Sequence, residues 1–233
     1  IFISFSAFAK KEKISFNLKF GLVKGGEAVI TISDTVYNGI PAVRYHVIGR
    51  TTGLTDKLFG VNDVYETIID AETRLPLKSI RNIKEQKYRW YNETYYYHDI
   101  DSINSQKSGW SAVPNNLVDI ISVFFYFVHT NNMEKMEIGK RVNIPTFHAD
   151  KISDVSISYL GRETIKTDLG HVDSYVLTPR VDKGKLLKRS DGLKLYVSRE
   201  NKVPVLIDFD MRIGALRAVL QSYKIDGEEQ VTK

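Results

Sequence analysis

Asp208 and Asp210 flank Phe209, and on an extended chain both carboxylates leave the same face. Like charges so placed can share one proton, the arrangement a two-carboxylate hydrolase needs. The same spacing also describes the wet face of a strand whose other face carries Ile207 and Phe209, and it needs no chemistry to explain it. The histidines at 46, 98, 129, 148 and 171 include no i, i+4 pair. His98 with Asp99 and Asp101, and His148 with Asp150, each offer ligands from one short segment. Metal centres gather ligands from several segments, so no metal site is assigned. The chain has no cysteine, which excludes disulfides, thiol catalysis and thiolate zinc sites. It also has no Gly-x-Ser-x-Gly elbow, no phosphate loop and no His-Glu-x-x-His stretch. Gly25-Gly26 is followed by no helix start that could hold a phosphate, and reads as a tight turn. No catalytic residue and no cofactor is assigned.

Aromatic side chains offer binding rather than bond-making. Residues 88–97 read YRWYNETYYY. With Asn92-Glu93 as a two-residue turn, Trp90 faces Tyr95 and Tyr88 faces Tyr97 across a hairpin. Such pairs stabilise a hairpin by about 0.2–1 kcal/mol each, which accounts for them structurally. Their functional reading is a stacking platform or an interface anchor. A second apolar group lies in residues 117–128, LVDIISVFFYFV. The candidate ligand-binding residues are therefore Tyr88, Trp90, Tyr95, Tyr97, Phe124, Phe125 and Phe127.

The elements that must position them are mostly strands. Ile14, Phe16, Leu18 and Phe20 alternate with polar residues, the mark of a strand with one buried face. Asn38-Gly39 between β-rich runs predicts a hairpin. Residues 64–70 and 77–82 read as strand, turn and strand around Asp70, Thr73 and Pro76. Ser198, Asn201 and Pro204 echo that spacing between residues 193–197 and 205–209. Further strands are expected at 139–149, 151–162, 171–180 and 214–225. The segment 117–128 is predicted to be a helix buried on more than one side, with Pro114-Asn115-Asn116 before it as the cap and a buried strand as the competing reading. The fold class expected is mostly β: one domain of curved antiparallel sheet, or a β-roll, with one central buried helix.

Net charge is +5, but the charges are spread over many strand-like segments with no long basic run, so no nucleic-acid partner is expected. Lys183 to Arg189 reads as a solvated loop. Residues 1–9, IFISFSAFA, resemble the end of a secretory signal. Ala7-Phe8-Ala9 matches a small-residue cleavage site, and the alternative is a first strand. The expected division is a signal-peptide remnant at 1–9 and one β-rich domain at 10–233. No segment reaches the roughly 18 apolar residues of a transmembrane helix.

The order of several stretches resembles the exported bacterial proteins of domain-of-unknown-function family 3108. They are FGLVKGGEA at 20–28, Tyr65 to Pro76 with Asp70-x-x-Thr73-x-x-Pro76, NLVDIIS at 116–122, GRETI at 161–165 before Gly170, and LYVS at 195–198 before Pro204 and Gly214. Members often carry Trp before the late serine, where this chain has Tyr196. The resemblance implies a signal peptide, a cell-envelope location and a curved β-sheet, and it brings no catalytic residues. The plan is also similar, more distantly, to periplasmic lipoprotein-carrier folds, in which sheet and helix enclose an apolar cavity. The expectation is an exported, periplasmic or extracellular, non-enzymatic protein that binds an apolar or amphiphilic, lipid-like ligand. The alternative is a protein–protein module in envelope assembly or surface-polysaccharide handling, with an envelope protein as partner.

Overall fold

The computed structural model describes residues 10–180, 188–212 and 214–230. The stretch assigned to a signal remnant, and residues 183–187 of the basic segment, lie outside the described residues. Among the described residues, sixteen strands form one sheet. They are β1 (Lys11–Phe20), β2 (Val23–Tyr37), β3 (Ile40–Thr51), β4 (Asn62–Asp70), β5 (Pro76–Glu85), β6 (Tyr88–Tyr97), β7 (Ser102–Ser105), β8 (Gly109–Ala112), β9 (Val118–Asp119), β10 (Arg141–His148), β11 (Lys151–Thr167), β12 (Gly170–Arg180), β13 (Leu193–Ser198), β14 (Pro204–Met211), β15 (Gly214–Ile225) and β16 (Glu228–Glu229). Two helices interrupt them, α1 (Gly53–Phe59) and α2 (Ser122–Thr130).

The order across the sheet is β8-β7-β6-β5-β4-β3-β2-β1-β15-β14-β13-β12-β11-β10-β9, with β16 beside β15. Chain order is thus kept outward from β1, which lies between the second strand and the fifteenth. All these pairings are antiparallel except β9 with β10. The expected β architecture is present, and the Asn38-Gly39 hairpin forms with both residues at positive φ, as a tight two-residue turn requires. The spaced echo is a repeated turn. Asp70 Oδ1 accepts the backbone N–H of Glu72 and Thr73, each at 2.8 Å. Ser198 Oγ accepts that of Asn201 at 3.2 Å. In each turn a residue at positive φ, Arg74 or Lys202, precedes the return strand. The N–H of Asp70 meets the Leu75 carbonyl, and the N–H of Ser198 meets the Val203 carbonyl.

Bulges at Ser15/Phe16, Leu18/Lys19 and Tyr159/Gly161 bend the sheet. It curls far enough for its ends to overlap. Thr67 on β4 donates to Asp119 at the end of β9 at 2.8 Å. Asn92 on β6 and Ser105 on β7 both donate to Asp150, in the turn after β10. Tyr96, Ile103, Leu117 and Phe147 form a small apolar cluster across the same seam.

Helix α2 fills the interior. Phe125 stacks on Tyr45 of β3 at 4.0 Å, within a core that includes Ile14, Phe16, Val205 and Leu220. Phe127 is fully buried on the helix's other side, among Ile144, Ile157, Leu177 and Val197. The helix begins later than the sequence suggests, at Ser122 rather than near Leu117. The reason is Asp119, whose Oδ1 accepts the N–H groups of Ile121 (2.8 Å) and Ser122 (3.1 Å); the N-cap position is Ile121, and this aspartate, not Asn115 or Asn116, satisfies the leading N–H groups. Val118 and Asp119 form a short strand before it. A second correction concerns Gly25-Gly26, which lie inside β2 rather than in a turn. A Cβ on Gly26 would meet the Arg50 carbonyl oxygen at 2.5 Å, and one on Gly25 would meet Thr55 of α1 at 2.8 Å. The glycines let β3 and α1 approach closely.

Candidate functional site: an open apolar cleft

The strands that bury their inward residues against α2 continue past it. On β1, Ile14 and Phe16 are buried, and Leu18 and Phe20 follow on the same face. On β3, Val43 and Tyr45 lead to Val47 and Gly49, and on β15, Leu220 and Ala218 lead to Leu216. Beyond the helix these continuing residues surround a cleft of about 670 Å³, together with Val61 just before β4, Asp63 and Tyr65 of β4, and Met211. A cleft of this volume is the size of a small-molecule or single-chain lipid site.

Helix α1 straps one side of the mouth. It has no buried residue. It is held at its start by the Thr52 N–H on the Gly25 carbonyl (2.9 Å) and at its end by the Gln86 N–H on the Gly60 carbonyl (3.1 Å). Phe59 stacks with Phe20 at 6.4 Å between ring centres.

The cleft has a polar wall. Asp63 and Glu85 hydrogen-bond each other, and Asp63 Oδ1 also accepts the Lys84 N–H at 2.9 Å. Burial pushes both carboxyl groups above their ordinary range, and the Asp63 charge raises Glu85 further. Deeper in, Tyr65 hydrogen-bonds Arg81, and burial raises the Tyr65 phenol. Tyr65 also lines a second, smaller space of about 30 Å³, room for one water molecule, together with Thr67, Arg81, Trp90, Asn92, Asp119 and His148. Burial, with the nearby Arg81 charge, keeps His148 below its usual value. Arg81 Nε and Trp90 Nε1 are buried with no protein partner. The interior therefore runs from an apolar mouth to a polar floor.

The residues singled out by sequence separate. The segment 88–97 is one continuous strand, not a hairpin, because the turn falls at Gln86-Lys87, with Gln86 at positive φ. Asn92 and Glu93 lie mid-strand, paired with Arg81 and Ile80. Tyr88 and Trp90 consequently share the inner side, Tyr88 at the cleft rim and Trp90 at the polar space. Tyr95 and Tyr97 line a shallow groove with Tyr37 and Ile40. There Glu93 accepts hydrogen bonds from Tyr91 and Tyr95 and pairs with Lys78 at 2.7 Å, which holds its carboxyl at about 2. Tyr97 packs against the exposed Trp110 at 4.8 Å. Phe125 and Phe127 belong to the filled core, and the partly buried Phe124 packs edge-on against Phe125.

The remaining candidates have structural partners. Asp208 pairs with Arg217 at 3.3 Å and Asp210 with Arg189 at 3.7 Å. His98 Nε2 lies 2.9 Å from the Pro76 carbonyl. Among the described residues no three His, Asp or Glu side chains converge as a metal site. No helix among them is long and apolar enough to cross a membrane. Sequence reasoning missed α1 and, apart from Tyr88, the residues that line the cleft. The available signals were the Leu54/Leu58 spacing between Gly53 and Gly60, and the run of inward residues extending beyond the length of one helix.

Residues 15–221 match the family model described as "Protein of unknown function (DUF3108)". No curated protein matches. Among solved structures, a β-barrel-like protein of the domain of unknown function DUF1849 from Brucella abortus superposes with a TM-score of 0.59 at 10% identity, over 92% of this chain and 97% of that one. That likeness is one of fold. A duf1089 family protein from Pseudomonas aeruginosa aligns over 84% of this chain and 83% of its own at 8% identity, with a TM-score of 0.29, too low to carry an argument.

Proposed function

The chain belongs to the DUF3108 family of proteins of unknown function, and we propose that it is a non-enzymatic binding protein of the cell envelope whose open cleft takes an amphiphile with one apolar chain. The observation that carries this reading is the cleft itself. A sheet that has a helix to fill one part of its interior leaves about 670 Å³ lined by Leu18, Val47, Met211 and Leu216 at the other. Leaving apolar walls in contact with water forgoes about 25 cal/mol per Å² that a second plug would recover. A ligand chain recovers it instead. The Asp63/Glu85 pair and the Tyr65–Arg81 contact place polar groups where a head group would stop. An envelope location is supported by Ala7-Phe8-Ala9 in the small-residue pattern of a cleavage site.

Native mass spectrometry of protein purified from cells, with organic extraction of the same sample, tests the binding. An adduct of lipid mass that extraction releases is expected. A preparation that stays empty after incubation with fatty acid and phospholipid would overturn the reading. Fractionation with N-terminal sequencing checks the location, with a mature start near Lys10 expected.

A second reading rests on the outer face of β6–β8. Tyr91, Tyr97 and Trp110 are exposed there beside the pinned Glu93. Aromatic residues clustered in this way suit a protein contact. Crosslinking in cells should then yield a discrete partner that Trp110→Ala loses.

A further inference from the structure

The segments beside the cleft mouth carry apolar side chains that stand in solvent rather than in the cleft. Leu22, at the tip of the β1–β2 turn, is 100% exposed. On α1, Leu54 (78% exposed) and Leu58 (65%) stand four residues apart, hence on one helix face, and it faces solvent. Thr55 and Phe59 occupy the other side, against Gly25 and Phe20. The sheet's hydrogen bonds explain none of the three exposed leucines, and each costs solubility. Exposed apolar side chains concentrated in one place mark an interaction site.

Cations are interleaved with them. Lys24 follows the first tip, Lys57 lies between the α1 leucines, and Lys87 and Arg89 flank Tyr88 on the third tip. Lys24 and Arg50 share one carboxylate, Glu27, at 2.9 and 3.0 Å. The other acids close by are Asp56, which accepts the Thr51 hydroxyl, and the Asp63/Glu85 pair on the cleft wall. The β1–β2 tip and α1 thus present leucine beside lysine, and the third tip presents tyrosine beside lysine. A protein partner would be met by a continuous, close-packed surface, whereas these apolar groups project singly, Leu22 from the β1–β2 turn, Leu54 and Leu58 from α1, and the half-exposed Tyr88 from the β5–β6 turn. Projections of this kind insert separately among lipid head groups, and their lysines remain at the level of the phosphates.

We propose that the rim formed by Leu22, Leu54 and Leu58 with Lys24, Lys57 and Lys87 docks on an anionic bilayer surface, cleft mouth toward the membrane. This orientation rests on the cleft reading for its purpose. An amphiphile could pass between bilayer and cleft without its chain crossing water.

Flotation of the full chain with vesicles tests the proposal, using phosphatidylcholine alone and phosphatidylcholine with about one quarter phosphatidylglycerol. The wild type should float with the anionic vesicles, at least tenfold more than with the neutral ones, and less as salt rises. The triple variant Leu22→Asp, Leu54→Asp, Leu58→Asp should stay in solution. Its side chains are already in water, so its thermal midpoint should match wild type. Leu22→Asp alone, on a turn tip, serves as the second variant and should lose part of the association. Wild type that does not float with anionic vesicles, or a folded triple variant that floats as well as wild type, would overturn the docking face. The cleft is read separately, by uptake of a fluorescent fatty acid without vesicles. A triple variant that keeps uptake but loses flotation supports docking. A wild type that floats but takes up no fatty acid sinks the cleft reading and leaves the docking face standing.

Discussion

The same strands build two interiors. At one end, inward side chains from β1, β3, β4 and β15 close on Phe125 of α2 and leave Ile14 and Leu220 without exposure, while Phe127 is buried on the helix's far side. At the other end, four residues further along the same faces, Leu18, Val47, Tyr65 and Leu216 surround open space. Neither strand pairing nor alternation distinguishes the two. The difference is the helix: α2 is nine residues long and apolar on most sides, and α1 is seven residues long and stays at the rim. A curled sheet of this width needs a plug, and only half of it has one.

The sharpest way to break this comparison is to make one kind of truncation at both ends. Phe127→Ala should cost about 3–5 kcal/mol, because the neighbours of a fully buried ring cannot collapse into the gap. Leu216→Ala should cost less than about 1 kcal/mol, since its side chain already borders open space. Denaturant midpoints measure both. Equal losses would mean that the cleft is packed in solution.

A smaller effect concerns the two repeated turns. Asp70→Ala removes a charged acceptor from two backbone N–H groups and should cost about 1–2 kcal/mol. Ser198→Ala removes one longer bond and should cost about 0.5–1 kcal/mol, by the same unfolding assay.

The smallest effect should be that of Asp63→Asn. Burial raises the native carboxyl, so the folded state holds its proton more tightly than the unfolded chain does. That contribution to stability is complete below the unfolded pKa near 4 and is lost as pH rises through the higher folded value. An amide never ionises and keeps the Lys84 N–H contact. The variant should therefore melt at most about 3 °C above wild type at pH 8, and the gain should vanish near pH 3. A gain of the same size at both pH values would place the effect outside ionisation.

The β architecture was legible because alternation reports which face of a strand is inward. Ile14 to Phe20, the Asn38-Gly39 turn and the Asp70/Ser198 echo are all local signals, and all three form as spaced. The start of α2 was misplaced because the residue that accepts its leading N–H groups, Asp119, sits inside the apolar run and looks like an interruption of it. The aromatic tract was misread for a related reason. Tyr and Trp occupy both parities between 88 and 97, so alternation could not tell one strand from two. The place of the cleft was not legible because inwardness is not burial. Val43 and Val47 read alike, and only the length of a helix far along the chain decides which of them is covered. The exposed leucines of α1 were missed because on a seven-residue helix with no buried face the stripe is a single i, i+4 pair, Leu54 and Leu58.

Gly49 gives the most direct test of the cleft. It lies on the cleft wall, its φ suits any side chain, and a Cβ added there meets nothing within 4 Å. Gly49→Trp should fill the space with the missing plug, leave the fold as stable as wild type or more so, and reduce uptake of a fluorescent fatty acid at least tenfold in a titration beside wild type. A folded Gly49→Trp protein that binds the fatty acid as tightly as wild type would contradict the account.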